Sequence, residues 1–507
     1  MNTIYEKNIE CIRRRFSNIY KELENTLSDD SYLGVIPSKK GDYNILTLKN
    51  GNALHSKYSH QKESATMFSG KENIVLFCGI GSAYHIRYFL EHFSKKKVFI
   101  TDATYESLKR LLELCDISDV LSNNNVFLLP PVMSLDFVNC LKECYTPLFM
   151  ESLTIIPLRS WKSYFFDGVD NWFDKKISIA LNDISQDLST QAMFGKIWMI
   201  NIAKNLQLAS MIKPSMPKVD NTKTAYILGA GPSLDSAIEE IRKKRREIVL
   251  FSSDAAFLPL LKHKISPDFF ISIDPQIICS THCIAAFSKD VIGIFNLTSS
   301  PPLVRQFVEK GCKIIFTHSS HPFSIYANLL SPFPKLDAGS GSVAIAALNV
   351  ARSLGFTKIE GRGVDFAYTK GAAYARGVYL SVDMQKDISR FNTEESFFVR
   401  LMFRGATNKC KEGDRITYKT DLLSSYARSF YSNEDITILW KDADFASFPY
   451  VQFLKKLKYD FTFSYENLRS IFLPFICWAE MKKNGINIEK NDAFLIEELV
   501  LKKIFML

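Results

Sequence analysis

Between Thr224 and about Tyr379 the chain repeats one pattern: a short apolar run, a polar turn, then helical spacing. The apolar runs fall at residues 225–228, 248–252, 269–273, 291–294, 313–317 and 358–360. Helices are predicted from the first turn to Arg245, around residues 255–262, and over 343–354, where Gly355 suits a helix stop. Strands alternating with helices predict a mostly parallel sheet flanked by helices, with ligands beyond the strand C-termini. The first turn, Gly229-Ala-Gly231-Pro232-Ser233, leads into Leu234, Ile238 and Ile241 at i, i+4, i+7. Its glycines let the backbone turn sharply and approach a ligand, and Pro232 suits a first helical position. The unpaired amides of that helix start are a ready phosphate site.

Four more polar clusters occupy the same edge. They are Ser252-Ser-Asp254, Ser272-Ile-Asp274-Pro-Gln276, Gly361-Arg-Gly363-Val-Asp365-Phe-Ala-Tyr368, and Asp337-Ala-Gly339-Ser340-Gly341-Ser342. In the last, Ser342 is a good N-cap for a helix with four free amides. Any one aspartate here could cap a helix or close a turn. Together the clusters describe a nucleotide pocket, with amides for phosphate and carboxylates for ribose hydroxyls or the base.

Ahead of this unit, residues 4–27 read as an amphipathic helix and 33–55 as short strands. A strand at 73–77, the turn Cys78-Gly79-Ile-Gly81-Ser-Ala-Tyr-His85, a helix to about Phe93 and a strand at 97–100 ending at Asp102 make half of a Rossmann-like unit. The third glycine of the dinucleotide fingerprint is missing, with Ala83 and Tyr84 near its place, so the unit is either a scaffold or a second ligand site. Residues 171–211 are helical with a single glycine, Gly195, and Pro214 and Pro217 mark a linker. Beyond Ser381 the chain turns polar, with a helix at 422–430, a strand at 436–440 and helices from about 465. The expected organisation is α/β: an N-terminal domain with the Rossmann-like unit (1–170), connecting helices (171–213), a parallel-sheet nucleotide-binding domain (214–390) and a mainly helical C-terminal domain (391–507).

Composition excludes several classes. The 507 residues carry 63 Lys and Arg against 54 Asp and Glu, a small net charge of +9. The densest basic run, Arg242 to Arg246, ends a helix and complements its dipole, so no nucleic acid is expected. No apolar run reaches membrane-spanning length, and no secretory signal opens the chain. The ten scattered cysteines fit reduced thiols and a cytoplasmic location. Cys279-x-x-His282-Cys283 offers three ligands with no fourth and reads as buried thiols, so no metal is expected.

Gly229-Ala-Gly-Pro-Ser-Leu234, Ser253-Asp-Ala-Ala256, Pro267-Asp-Phe-Phe-Ile-Ser-Ile-Asp-Pro-Gln276, Gly339-Ser-Gly-Ser-Val343 and Gly363-Val-Asp-Phe-Ala-Tyr368 resemble the core of the motility-associated factor (Maf) flagellin glycosyltransferases. Leu54-His-Ser-Lys-Tyr58, Glu63 and the stretch from Gly79 to Leu90 agree with that family's N-terminal domain. The resemblance implies transfer of a nonulosonic acid, pseudaminic or legionaminic, from its CMP-activated form to Ser or Thr of flagellin, without a further cofactor. The central unit is also similar to bacterial CMP-sialic acid sialyltransferases, through Leu354-Gly-Phe356, Gly363-Val-Asp-Phe366 and Tyr374. Those enzymes hold the nucleotide with asparagines where this chain has Asp254 and Asp274. Their catalytic histidine lies in a segment resembling residues 415–421, which holds no histidine here.

Transfer from a CMP donor needs fixed donors for the departing phosphate, negative or π density near the oxocarbenium-like centre, and a base. Gly229, Gly231, Pro232, Ser233, Gly339, Ser340, Gly341 and Ser342 are the expected phosphate cradle, with Asp254 and Asp274 on the nucleoside. Asp365 and Tyr374 are candidates for the centre, His318 and His321 for the base, and Arg376, with Arg362 and Lys370, for the sugar carboxylate. Two rival readings remain open at this point. One is a Mg²⁺-dependent phosphoryl or diphosphate transferase of the pterin-diphosphokinase-like group, and the other a non-catalytic flagellin-binding factor.

Overall fold

The computed structural model describes residues 3–150, 152–167, 171–336, 341–369, 371–380, 387–412, 415–432, 440, 446–482 and 492–507. The chain forms two compact units, Met1–Ser189 and Thr190–Leu507, and the 40-residue helix Trp172–Met211 belongs partly to each.

In the first unit the amphipathic stretch is two helices, Thr3–Arg15 and Ser17–Asn25, because Phe16 leaves helical geometry at φ −133°, ψ 59°. A hairpin pairs β1 (Tyr32–Pro37) with β2 (Asn44–Leu48). Four parallel strands follow: β3 (Ile74–Cys78), β4 (Val98–Thr101), β5 (Val126–Leu128) and β6 (Leu153–Pro157), in the order β5-β4-β3-β6. β3 and β4 are buried at every position, as strands covered on both faces must be.

The second unit is built on six parallel strands: β7 (Thr224–Leu228), β8 (Ile248–Ser253), β9 (Phe269–Ser272), β10 (Ile292–Asn296), β11 (Ile314–Thr317) and β12 (Ile359–Arg362). Their order is β11-β10-β9-β8-β7-β12. The helix Val343–Ser353 packs its alanine-rich face on one side of the sheet, with Ala346, Ala347, Val350 and Ala351 fully buried. The helix Leu234–Lys244 covers the other side through Leu234, Ile238 and Ile241. It begins after Ser233, so Pro232 lies before the helix rather than at its first position.

A three-stranded antiparallel sheet, β13 (Tyr368–Thr369), β14 (Asn408–Glu412) and β15 (Arg415–Lys419), forms in the order β13-β15-β14 within a stretch whose polarity hid it. The helix at 422–430 is Asp421–Tyr431, and the C-terminal helices begin at Tyr450, earlier than expected. Of the strand expected at 436–440 only Trp440 is described: it is buried and its Nε1 donates to the Lys335 carbonyl at 3.0 Å. No helix among the described residues is long and apolar enough to cross a membrane.

Candidate functional site

Strand order locates the site. From β7 the chain moves outward through β8, β9, β10 and β11, then returns to β12 on the other side of β7. The loops after β7 and β12 therefore part at a topological switch point, where doubly wound sheets take their ligands. Here the two loops interlock. The Gly229 and Gly231 amides donate to the carbonyls of Arg362 and Gly363 at 2.9 and 2.7 Å. A Cβ on Gly229 would lie 2.4 Å from the Gly363 carbonyl oxygen, and one on Gly363 2.2 Å from that of Gly229, so both positions need glycine. Asp365 reaches across, its Oδ2 accepting from the Ser233 amide and hydroxyl at 3.2 and 2.9 Å.

The expected phosphate turn is therefore engaged by the chain itself: a carboxylate already sits on the start of the helix Leu234–Lys244, the place an anion would take. Beside it, the Ala375 amide donates to Ala230 at 2.8 Å and the Arg376 amide to Asp235 at 3.1 Å, which brings the Tyr374 segment to this edge. Burial first, then the neighbouring Tyr368, raises the Tyr374 phenol. Phe366 sits at φ +45°, a left-handed conformation that costs a non-glycine residue about 1–2 kcal/mol and is held by packing on Phe430.

The helix Val343–Ser353 follows β11 and precedes β12, so its N-terminus opens at the same edge. Ser342 is the N-cap and makes no side-chain cap bond. Gly341 has φ +74°, and a Cβ there would lie 3.6 Å from the Tyr426 hydroxyl. Gly339, Ser340 and Lys370 lie outside the described residues.

Asp254 and Asp274 end β8 and β9 with different environments. Asp254 is buried, accepting from the Ser272 hydroxyl (2.8 Å) and the Ala255 amide (2.7 Å). Burial pushes it up to about 7 against the Ser272 hydrogen bond, and the Asp274 charge adds to the rise. Asp274 is half-buried and accepts from the Gln276 amide at 2.8 Å. Around Asp254 lie Cys279 and His282. Burial raises the Cys279 thiol and pulls His282 down to about 4, with Asp274 opposing the latter.

The structure does not bring the histidine candidates to this place. His318 and His321 follow β11, four strands from β7, or about 19 Å at the usual strand spacing. His321 caps the helix Pro322–Asn328, its Nδ1 accepting from the Phe323 amide at 3.2 Å, and burial alone pulls its pKa to about 3. Arg362 is held by Glu240 (2.9 and 3.0 Å) and Glu360 (2.7 Å) and lies 4.5 Å over the Tyr226 ring. The Arg376 residue is exposed.

Three contributors escaped sequence reasoning. Asn201 and Asn205, one turn apart on the long helix, clamp the loops after β9 and β10. Asn201 donates to Pro275 and Thr298, and Asn205 to Leu297 and Ser299, all at 2.8–2.9 Å. Their i, i+4 spacing inside an apolar stripe was the available signal. Arg404 acts electrostatically on Tyr374 and lines a hollow of about 650 Å³ with Arg400, Phe397 and Asn392.

The N-terminal Gly-x-Gly turn is filled by protein. A Cβ on Gly79 would lie 2.6 Å from Cγ of the fully buried Trp161. Asp102 is also fully buried, accepting from Tyr32, Ser107, Trp161 and the Ala103 amide at 2.7–3.2 Å. An acid meant for a ribose hydroxyl is spent here on internal donors, which is how a scaffold uses it.

Residues 197–371 match the model of a family described as 6-hydroxymethylpterin diphosphokinase MptE-like. Two uncharacterized proteins of Treponema pallidum (strain Nichols) are similar over long stretches. One is 38% identical over 223 residues, covering 44% of this chain and 78% of the relative. The other is 36% identical over 168 residues, covering 33% of this chain and 80% of the relative. The solved structure of the Maf glycosyltransferase from Magnetospirillum magneticum AMB-1 aligns with 85% of this chain and 70% of its own at a TM-score of 0.55 and 14% identity, a likeness of fold. The chain thus belongs to one family with these Treponema pallidum proteins, with an MptE-like core and the fold of a Maf glycosyltransferase.

Proposed function

We propose that the protein is a cytoplasmic O-glycosyltransferase that moves a nonulosonic acid, pseudaminic or legionaminic, from its CMP-activated donor to a Ser or Thr hydroxyl of flagellin. The observation that carries this reading is the switch point between β7 and β12, where Asp365 and the Tyr374 segment meet at one sheet edge. The half-buried Asp274 is the nucleoside contact, its carboxylate facing ribose hydroxyls. The phosphate belongs at the helix start after Ser342, since Asp365 holds the other, and the Tyr426 hydroxyl stands close to Gly341. In the transfer, the bond between the sugar's anomeric carbon and the phosphate oxygen breaks as the acceptor oxygen bonds to that carbon. The acceptor proton passes to solvent and CMP leaves with the electron pair of the broken bond. Asp365 supplies negative charge beside the developing cation. Tyr374, kept protonated by its raised pKa, donates to the departing phosphate. Arg404 and Arg400, flanking the hollow near Tyr374, suit the sugar carboxylate.

Calorimetry tests the reading: CMP binds without Mg²⁺, and Asp274→Ala weakens it while the melting temperature holds. Unchanged CMP affinity in the variant would count decisively against the assignment. The match of residues 197–371 favours a second reading, diphosphate transfer, which ATP binding that depends on Mg²⁺ would select. Binding of flagellin with neither nucleotide would select a non-catalytic factor. Mass spectrometry of flagellin from cells with and without the chain tests donor and acceptor together.

A further inference from the structure

We propose that Asp254, Cys279 and His282 form a zinc site at the carboxyl edge of β8 and β9. One oxygen, one sulfur and one nitrogen from these buried residues all lie within 4.8 Å of one another. Tetrahedral zinc with ordinary bond lengths sets such atoms about 3.5 Å apart, so modest side-chain rotation closes the set. Local structure explains the pairing. Ile277–Cys283 is a 3₁₀ helix, in which residues three apart eclipse, and this puts Cys279 and His282 on one side. Cys283, one residue further on, falls off that side and outside the group.

Two further features mark the cluster as a site. Nδ1 of His282 is buried and has no hydrogen-bond partner among the described residues, a state that ordinarily costs free energy, and the ring stands edge-on to Tyr379 with the ring centres 4.3 Å apart. Asp254 is oriented by the Ser272 hydroxyl and the Ala255 amide, the outer hydrogen bonds that metal-binding carboxylates carry. A carboxylate, a thiolate and a neutral imidazole together carry two negative charges, which offset those of a divalent ion. Sulfur and nitrogen donors select zinc over magnesium. Three protein ligands leave a fourth position for water or a substrate oxygen.

The test uses the full chain, stripped with a chelator and titrated with Zn²⁺ against a chromophoric competitor, then with Co²⁺. One equivalent of Zn²⁺ binds, excess Mg²⁺ does not displace it, and Co²⁺ produces a near-ultraviolet thiolate-to-metal band. Cys279→Ser removes the band and weakens Zn²⁺ by at least about 100-fold, since even outer hydrogen-bond partners are worth 10–100-fold. Cys283→Ser leaves both intact. Absence of saturable Zn²⁺ binding or of the thiolate band in the unaltered protein overturns the proposal, whether or not the variants fold. Equal Zn²⁺ affinity in folded Cys279→Ser overturns it too. The site is independent of the donor assignment: zinc binding without CMP binding would sustain one and sink the other.

Discussion

Replacing Gly195 by alanine sets two effects of opposite sign against each other. Gly195 lies inside the helix Trp172–Met211, where alanine is preferred over glycine by about 0.8–1 kcal/mol. Helix propensity alone therefore predicts a stabilised protein. The surroundings predict the reverse. A Cβ on Gly195 would lie 1.7 Å from the Pro474 carbonyl oxygen and 2.3 Å from its carbon, whereas ordinary contact begins at 3.4 Å. The helices Trp172–Met211 and Leu473–Lys482 would have to part locally by about 1.7 Å. The obstacle is backbone, so no rotamer change relieves it. Parting also opens the contacts of Phe475 and Ile476, each 1% exposed. A clash this close with backbone belongs at the upper end of overpacking costs, about 2–3 kcal/mol, which exceeds the propensity gain. The expected net loss is about 1–2 kcal/mol, a fall in melting temperature of about 1.5–3 °C for a unit that runs from Thr190 to Leu507. Urea denaturation followed by tryptophan fluorescence reads it. A Gly195→Ala protein as stable as the parent, or more so, would refute the close helix contact.

Gly231→Ala would set a Cβ 2.1 Å from Asp365 Oδ2. Displacing that carboxylate by about an ångström should slow sugar transfer by about 100-fold while CMP affinity stays nearly constant; an unchanged rate would separate Asp365 from the chemistry. Asn205→Leu removes both donors from the Leu297 and Ser299 carbonyls and should destabilise by about 1–3 kcal/mol, and equal denaturation midpoints would show that the clamp carries no weight. His321 is neutral when folded, its pKa pulled from 6.5 to about 3. The unfolded chain therefore binds the extra proton between those values. The stability that this residue contributes is present above about 6.5 and falls by up to about 1.4 kcal/mol per pH unit as pH drops toward 3. His321→Asn keeps a capping side chain and should flatten that part of the urea-midpoint profile; identical profiles would contradict the burial argument.

The parallel sheet was legible because its strands are apolar throughout and end in polar turns, a pattern with few other solutions. β7 and β11 begin within one residue of expectation. The antiparallel sheet of β13, β14 and β15 was not legible, since Asn408-Lys-Cys-Lys-Glu412 alternates no apolar face and reads as loop. Gly229, Gly231, Asp274 and Ser342 stand at the carboxyl edge of the sheet as expected, because turns and helix starts announce themselves locally. The histidines misled for the same reason: Thr317-His-Ser-Ser-His-Pro322 looks reactive after a strand, yet its strand is the far edge of the sheet. Cys279 and His282 were visible as a pair, but their third partner lies 25 residues upstream of Cys279, on another strand end.

Local chemistry thus determined which segments form the parallel strands, where their turns fall, and which residues stand at the carboxyl edge. Periodicity and turn propensity act over a few residues and need no knowledge of the rest. Strand order, the neighbour each polar end receives, and what fills each of the two Gly-x-Gly turns were decided only by tertiary packing. Trp161 fills the first turn and Asp365 reaches into the second. Both contacts join residues far apart in the chain, and no local preference encodes them.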